Sequence, residues 1–377
     1  VEFGASAVST AQLIITSSGD FEIIFESVAL TVQANGSSIY VGTNPGGSSP
    51  DVTEVDFSSL PITNNTGGVY QAFFVRSSPV VNELAVIQQF YATHPDNFEF
   101  FVYWTNFTSD LGSALAYHRG VYSDDSGFGR DRYDSRSGYG VTRLQSIVNN
   151  NRPGVYGADP HARTFGDGNS YLGIMAQETG HRWLAFPEMN ISGVDPTLML
   201  GRANAHWSYF FHTENSSEGG GNWVLSSGNS SNGTYTNKAN SFVNGYNSLD
   251  EYLMGLRDSN EVYPTFVISS TANNIQDASG YRGGKGDNAT PGQTATGQRV
   301  DIKIENIVAR EGLRYPGRAT SQKVFRQAYI YVVEQGKTVS SSDVAAGIAK
   351  WQLFADEWQN YYSFWTEGRG IQNVDLN

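Results

Sequence analysis

The chain has no cysteine among its 377 residues. A secreted eukaryotic protein of this size usually carries disulfides, so their absence points to a bacterial exported protein or a cytosolic one. Charge is also scarce, with only 16% of residues charged. The polar surface must therefore be built mostly of Ser, Thr, Asn and Gly, which favours export. Positive charge is the scarcer sign: 24 Lys and Arg stand against 37 Asp and Glu, a net charge of −13. That balance disfavours nucleic acid, whose phosphates need a positive field, and an anionic membrane surface. No apolar run reaches the roughly 18 residues that would span a bilayer. Gly-x-Ser-x-Gly elbows, Walker loops and dinucleotide fingerprints are missing too. The opening "VEFGASAVST" carries no signal-peptide pattern and reads as a mature or trimmed boundary. These absences together give an expected extracellular location, secreted or on the cell surface, in a bacterium.

What is present is a large stock of core-formers. Hydrophobic residues make up 39%, with 21 Tyr, 21 Phe and 7 Trp, enough for two or three structural units. Residues 1–78 alternate apolar and polar over short runs ("FEIIFESVALTVQA", "VYQAFFVRS") separated by turn-formers, which reads as an antiparallel β region. From residue 79 the pattern changes. "PVVNELAVIQQFYATHP" places Val81, Leu84, Ile87, Phe90 and Tyr91 at helical spacing, with Asn82 as cap. "NFEFFVYWTNF" reads as a solidly apolar, buried central strand, and "SALAYHRGVYS" as another. "VTRLQSIVNN" fits a short helix or an edge strand. A helix is expected from about Ser170 to Phe186. Residues 213–247, rich in Gly, Ser and Asn, read as long loops. "SLDEYLMGL" reads as a helix with Leu249, Tyr252, Leu253 and Leu256 inward. "YPTFVISS" and "QRVDIKIENIVAR" read as strands. "SQKVFRQAYIYVVEQG" and the segment before Gly368 read as helices.

The stretch "MAQETGHRW", Met175 to Trp183, carries the chemistry. In H-E-x-x-H two imidazoles one helical turn apart hold a zinc ion, and the Glu takes a proton from water. Here Glu178 and His181 stand in place, and Gln177 occupies the position of the first His. On a helix Gln177 and His181 share a face at i and i+4, with Glu178 beside it. Gln offers a neutral carbonyl oxygen, a weaker donor to zinc than imidazole. Gly180 is unusual in a helix interior, where it costs about 1 kcal/mol relative to Ala. It suggests close approach of another segment.

"QETGHRWLAF" resembles the HE-x-GH-x-W active helix of zincin metallopeptidases, in particular that of bacterial secreted zincin-like proteins. "LMLGRANAHWSYFFHT", "SEGGGNW" and "YNSLDEYLMGL" resemble segments that accompany that helix. The resemblance covers about residues 80–370. It implies an α+β zincin-like fold: a mixed sheet, the active-site helix and a C-terminal helical subdomain, preceded by the N-terminal β region. It places an N-terminal subdomain at 79–186 and a C-terminal one at 187–377. It implies zinc and hydrolysis of peptide bonds through a metal-activated water, with Glu178 as base. In such proteins the strand near the active helix binds substrate backbone at its edge, so His118 is expected to line the cleft, with Tyr209 and His212.

A catalytic zinc needs a third protein ligand. His206, in "AHWSYFF", is the first candidate, because an imidazole buried among aromatics needs a partner. Asp250 or Glu251 is the second, and His212 with Glu214 the third. A separate oxygen-rich loop, "YSDDSGFGRDRYDSRSGYG", carries Asp124, Asp125, Asp131 and Asp134. It offers a structural calcium site or, with Arg130, Arg132 and Arg136 interleaved, a salt-bridge network. The leading expectation is a zinc-dependent peptidase acting on peptide or protein. The alternatives are a zincin-fold pseudoenzyme binding peptide or glycan without hydrolysis, or a surface attachment protein.

Overall fold

The computed structural model describes residues 81–109, 111–112, 114–165, 168–238, 245–334 and 341–373, with three short strands nearer the N-terminus. Those strands are β1 (Ala29–Leu30), antiparallel to β2 (Ile39–Tyr40), and β3 (Phe74–Ser77). The rest of the β region expected over 1–78 lies outside the described residues. In chain order there follow α1 (Glu83–Tyr91), β4 (Phe100–Thr105), β5 (Tyr117–Gly120), β6 (Tyr122–Ser123), β7 (Tyr133–Asp134), α2 (Arg136–Tyr139), β8 (Ser146–Asn149) and α3 (Tyr171–Gly180). Then come β9 (Trp207–His212), β10 (Gly219–Gly221), β11 (Trp223–Asn229), β12 (Asn232–Asn237), α4 (Ser248–Leu253), β13 (Thr265–Ser269), β14 (Thr294–Ile302), α5 (Ile304–Glu311), β15 (Val324–Glu334), α6 (Ser341–Trp365) and β16 (Ile371–Asn373). The architecture is α+β.

The first sheet runs in the order β16–β15–β4–β8–β5, with β3 also on β15. Its pairings are parallel except for β5, which lies antiparallel to β8 and forms an edge. Every residue of β4 is buried, as a strand covered on both faces must be. Phe101 and Tyr103 face one cluster with Val86, Ile87 and Phe90 of α1. Phe100, Val102 and Trp104 face the other, with α3 and α6. On α6 the buried residues Trp351, Phe354, Ala355, Trp358 and Tyr362 recur at helical spacing. Asn82 caps α1 as expected, accepting from the Ala85 amide at 3.1 Å. Leu84, expected inward, is exposed instead.

Three expectations need correction. "SQKVFRQAYIYVVEQG" is no helix: β15 is an eleven-residue strand beside β4. A strand buried on both faces shows a continuous apolar run, which periodicity cannot tell from a buried helix. "SALAYHRGVYS" yields an edge strand, half-exposed, and "VTRLQSIVNN" yields the inner strand β8. The C-terminal half is not mainly helical. It holds a second sheet of order β10–β9–β13–β14–β12–β11. Residues expected as loops form the β11–β12 hairpin, whose outer strand is exposed from Val224 onward. A strand with no apolar face leaves no period-2 signal to read.

The exit of α3 is anchored from beneath. Arg182 and Arg314 are both buried and converge on the Asp125 carboxylate, at 3.6 and 3.0 Å. Trp183 Nε1 donates to the same oxygen at 3.1 Å, and Arg182 Nε donates to Gln145 at 2.8 Å. A cavity of about 320 Å³ adjoins this network. Removing one partner of a buried ion pair typically costs about 3–5 kcal/mol, because the other charge stays buried. Asp125→Ala should therefore lower unfolding stability by about 3 kcal/mol, read as a shifted denaturant midpoint at unchanged slope. A loss under about 1 kcal/mol would mean that water reaches these guanidinium groups.

Candidate metal centre

Helix α3 begins at Ser170, whose hydroxyl accepts from the Gly173 amide at 3.2 Å. All its residues but Gln177 are buried. His181 closes it, and the chain turns at once, with Trp183 and Leu184 amides both bonded to the Gly180 carbonyl. The early stop at Gly180, rather than near Phe186, leaves the His181 ring at the helix end.

Glu218 is the residue that packs onto this end. Its side chain is fully buried, on the approach to β10. A β-carbon at position 180 would collide with Glu218 Oε1. The glycine, last residue of the helix, thus makes room for a carboxylate. Glu218 Oε2 lies 3.2 Å from His181 Nδ1, yet the two are not aligned as a hydrogen bond, and neither carboxylate oxygen has a hydrogen-bond partner. The His206 ring stands edge-on to the His181 ring at 4.8 Å between centroids. One ligand atom each from His181, His206 and Glu218 falls within 4.8 Å of the others.

The donor set passes a fit test for a divalent ion. Two His and one Glu make a catalytic zinc set, with bonds of about 2.0–2.2 Å. Ligands on such an ion sit about 3.4 Å apart, so closure asks for shifts on the order of 1 Å. A buried carboxylate without hydrogen bonds is costly unless a cation meets it. His206 Nδ1 lies 3.0 Å from the Arg202 carbonyl, a pure acceptor, so Nδ1 carries the proton and Nε2 the lone pair. That backbone bond is the usual outer support of a metal-binding imidazole. The Arg202 guanidinium donates to His206 Nε2 at 2.7 Å and pairs with Asp287 at 2.9 Å, placing a positive charge beside that lone pair.

Burial sets the protonation states. It pushes His206 down to about 3, with Arg202 adding to the effect, and holds His181 well below the usual range, helped by His206 and Arg202. Both rings are neutral at neutral pH, the form that binds metals. Burial likewise pushes Glu178 up to about 8, against the opposing pull of Arg202 and of the His118 amide that donates to its carboxylate. Glu218 is raised by burial and by the carboxylates of Asp250, Glu178 and Asp287.

A cleft of about 770 Å³ opens over these groups, lined by Gln177, Glu178, His181 and His206 on one side and by β5 with His118 on another. The structure therefore brings together Glu178, His181, His206 and His118 as expected. The His118 ring is 6.1 Å from that of His181 and its Nε2 is 3.0 Å from Ser146 Oγ. Gln177 lines the same cleft, where the converging His and carboxylate groups are His181, His206 and Glu218.

Other candidates are placed elsewhere. Asp250 accepts from Trp207 Nε1 at 2.9 Å and closes the capping box of α4 with Asn247. Glu251 is tied to Arg257 at 2.7 Å. His212 accepts from the Trp223 amide and stacks on Phe266, and the Tyr209 hydroxyl donates to Gln293, so neither lines the cleft. In the oxygen-rich loop two of the four carboxylates are paired with arginine. Asp134 is taken by Arg136 and Asp125 by Arg182 and Arg314. Among the described residues the only group of three or more metal-type ligands is the one at Glu218. Glu218 itself escaped the sequence reading. Its one signal is isolation: it is the sole charged residue between Glu214 and Lys238.

No protein-family model, no curated protein and no solved structure matches this chain. The chemistry of the site rests on its own geometry. Gly180→Ala should displace the Glu218 carboxylate and weaken zinc binding by about tenfold or more, a magnitude typical of disturbed ligand support, in a competition titration with a chromophoric chelator. Unchanged affinity would remove Glu218 from the ligand set. Gln177→Ala should alter affinity by less than about threefold, since a side chain outside the ligand set contributes little direct bonding. A large loss would restore Gln177 as a ligand.

Proposed function

We propose that this chain is a zincin-like, zinc-dependent hydrolase of peptide bonds, exported by a bacterium. The observation that carries the reading is the Glu218 carboxylate, buried against Gly180, two positions after Glu178, and converging with His181 and His206. His181, His206 and Glu218 would hold the ion. When bound, zinc supplies Lewis-acid chemistry, polarising a carbonyl and making water more acidic.

The rest is work for the chain itself. Glu178 lines the cleft and is held by the His118 amide, so its carboxylate points between the helix and β5. There it takes a proton from the attacking water as the oxygen adds to the carbonyl carbon. It then delivers that proton to the amine nitrogen as the C–N bond breaks. Strand β5 binds and orients. One of its edges pairs with β8, and no strand among the described residues pairs with the other. An extended peptide can add there through main-chain hydrogen bonds. The mixed sheet with an antiparallel edge strand beside the site helix supports the zincin-like fold.

A second reading is favoured by Arg202. If its guanidinium stays on His206 Nε2, the site keeps an internal cation, and the cleft becomes a binder of peptide or glycan without hydrolysis. Metal analysis of chelator-free protein and a mixed-peptide digestion separate the two. The hydrolase reading expects about one zinc per chain and cleavage that chelation abolishes. Glu178→Gln should reduce cleavage by at least about a hundredfold, within the usual range for a lost general base, while zinc content stays constant. Equal activity in the two forms would remove Glu178 from the mechanism, and absent metal with retained peptide binding would favour the binder.

A further inference from the structure

The loop between β6 and β7 carries two guanidinium groups, those of Arg130 and Arg132, that pair with no carboxylate among the described residues, and of the two only Arg130 lines the cleft. Arg136 pairs with Asp134 at 2.6 Å, and Arg132 donates to Ser126. Two other arginines reach the cleft, and both are paired: Arg119 with Glu83 at 2.8 Å and Arg202 with Asp287 at 2.9 Å. Arg130 also lines the cleft, half-buried, and among the described residues it has no acidic partner. It is held by rings instead. Its guanidinium carbon lies 4.6 Å from the Tyr133 ring centroid and 4.9 Å from that of Phe186. Contact with aromatic faces steadies the guanidinium while leaving the N–H donors at its rim available.

The supporting backbone is rigid. Gly129 has φ +85°, and a β-carbon there would strike the Phe186–Pro187 backbone. The Tyr133 ring lies directly against Gly120, the last residue of β5. Arg130 thus stands at the Gly120 end of the edge strand, near enough to His181 for its charge to oppose protonation of that ring.

We propose that Arg130 is a specificity-determining residue that receives a substrate carboxylate at the Gly120 end of β5. The carboxylate comes either from an acidic side chain or from a free C-terminus near the reacting bond. This deepens the peptidase reading and rests on its peptide-binding cleft. The chain's net charge of −13 works against acidic ligands at long range. Physiological salt screens charges beyond about 8 Å, however, so a direct ion pair with a preformed guanidinium dominates in the cleft.

The test is equilibrium binding, which requires no turnover. In the Glu178→Gln chain, calorimetry would compare neutral octapeptides, capped at both ends, in which one Glu or one Gln is walked along the sequence. A third set has no Glu but a free C-terminus. A Glu at one position, or the free C-terminus, should tighten binding by about ten- to a hundredfold, as for hydrogen bonds to a charged group. Whichever set responds identifies the source of the carboxylate. Arg130→Gln should abolish that preference while neutral peptides bind as before, and Arg130→Lys should keep part of it. Equal binding of acidic and neutral peptides, or a preference that survives Arg130→Gln, overturns the proposal and leaves the peptidase reading standing. Binding of no peptide overturns both.

Discussion

The structure turns on a carboxylate placed where water cannot reach it. Glu218 is driven against the end of α3 through a gap that exists only because residue 180 has no side chain. Neither oxygen is satisfied by a hydrogen bond, so the fold has brought a buried carboxyl group, two neutral imidazoles and Glu178 together at one end of the cleft. The surroundings serve that arrangement. Gly219, directly after Glu218, lets the chain pass within touching distance of the Trp207 and Asp287 backbone. The Arg202 carbonyl orients His206. The Asp125 network clamps the residues after His181.

Much of this was legible in the sequence where helical periodicity could be used. Spacing alone puts Glu178 and His181 on neighbouring positions of one helix. Gly180, costly in that helix, marks the close approach of another segment. His206 follows from the demand of a buried imidazole for a partner, and it does lie beside His181. Glu218 was not legible for the opposite reason. It sits outside any periodic element, and its partner is nearly forty positions away, so no local pattern betrays it. Asp250 and Glu251 looked equally suitable as types, but helix capping and arginine pairing had already claimed them.

The fold was legible in proportion to how one-sided each element is. On helix α1 the residues Val86, Ile87 and Phe90 are buried while Leu84 and Gln88 are exposed, and that one-sided pattern was readable as a helix. Strand β15 is apolar on both sides and lost its period-2 signal; β11 is exposed on both sides from Val224 onward and lost it too. Both extremes were misread, one as a helix and one as a loop. Periodicity reports a difference between faces, and neither strand has one.

The position of β15 has a consequence for how the chain reaches its native state. The strand lies between β4 and both β3 and β16, so it is the seam of the first sheet, yet it is supplied some 220 residues after β4. A chain made from its N-terminus presents β4 and β8 with an open, apolar parallel edge until residue 334 has emerged. Long-range pairing of this kind is slow, and such an edge is prone to join the wrong strand meanwhile. The edge strand β5, helix α3 and its Glu178 all belong to the early part, so the part of the chain that carries them cannot assemble its sheet without the part that follows.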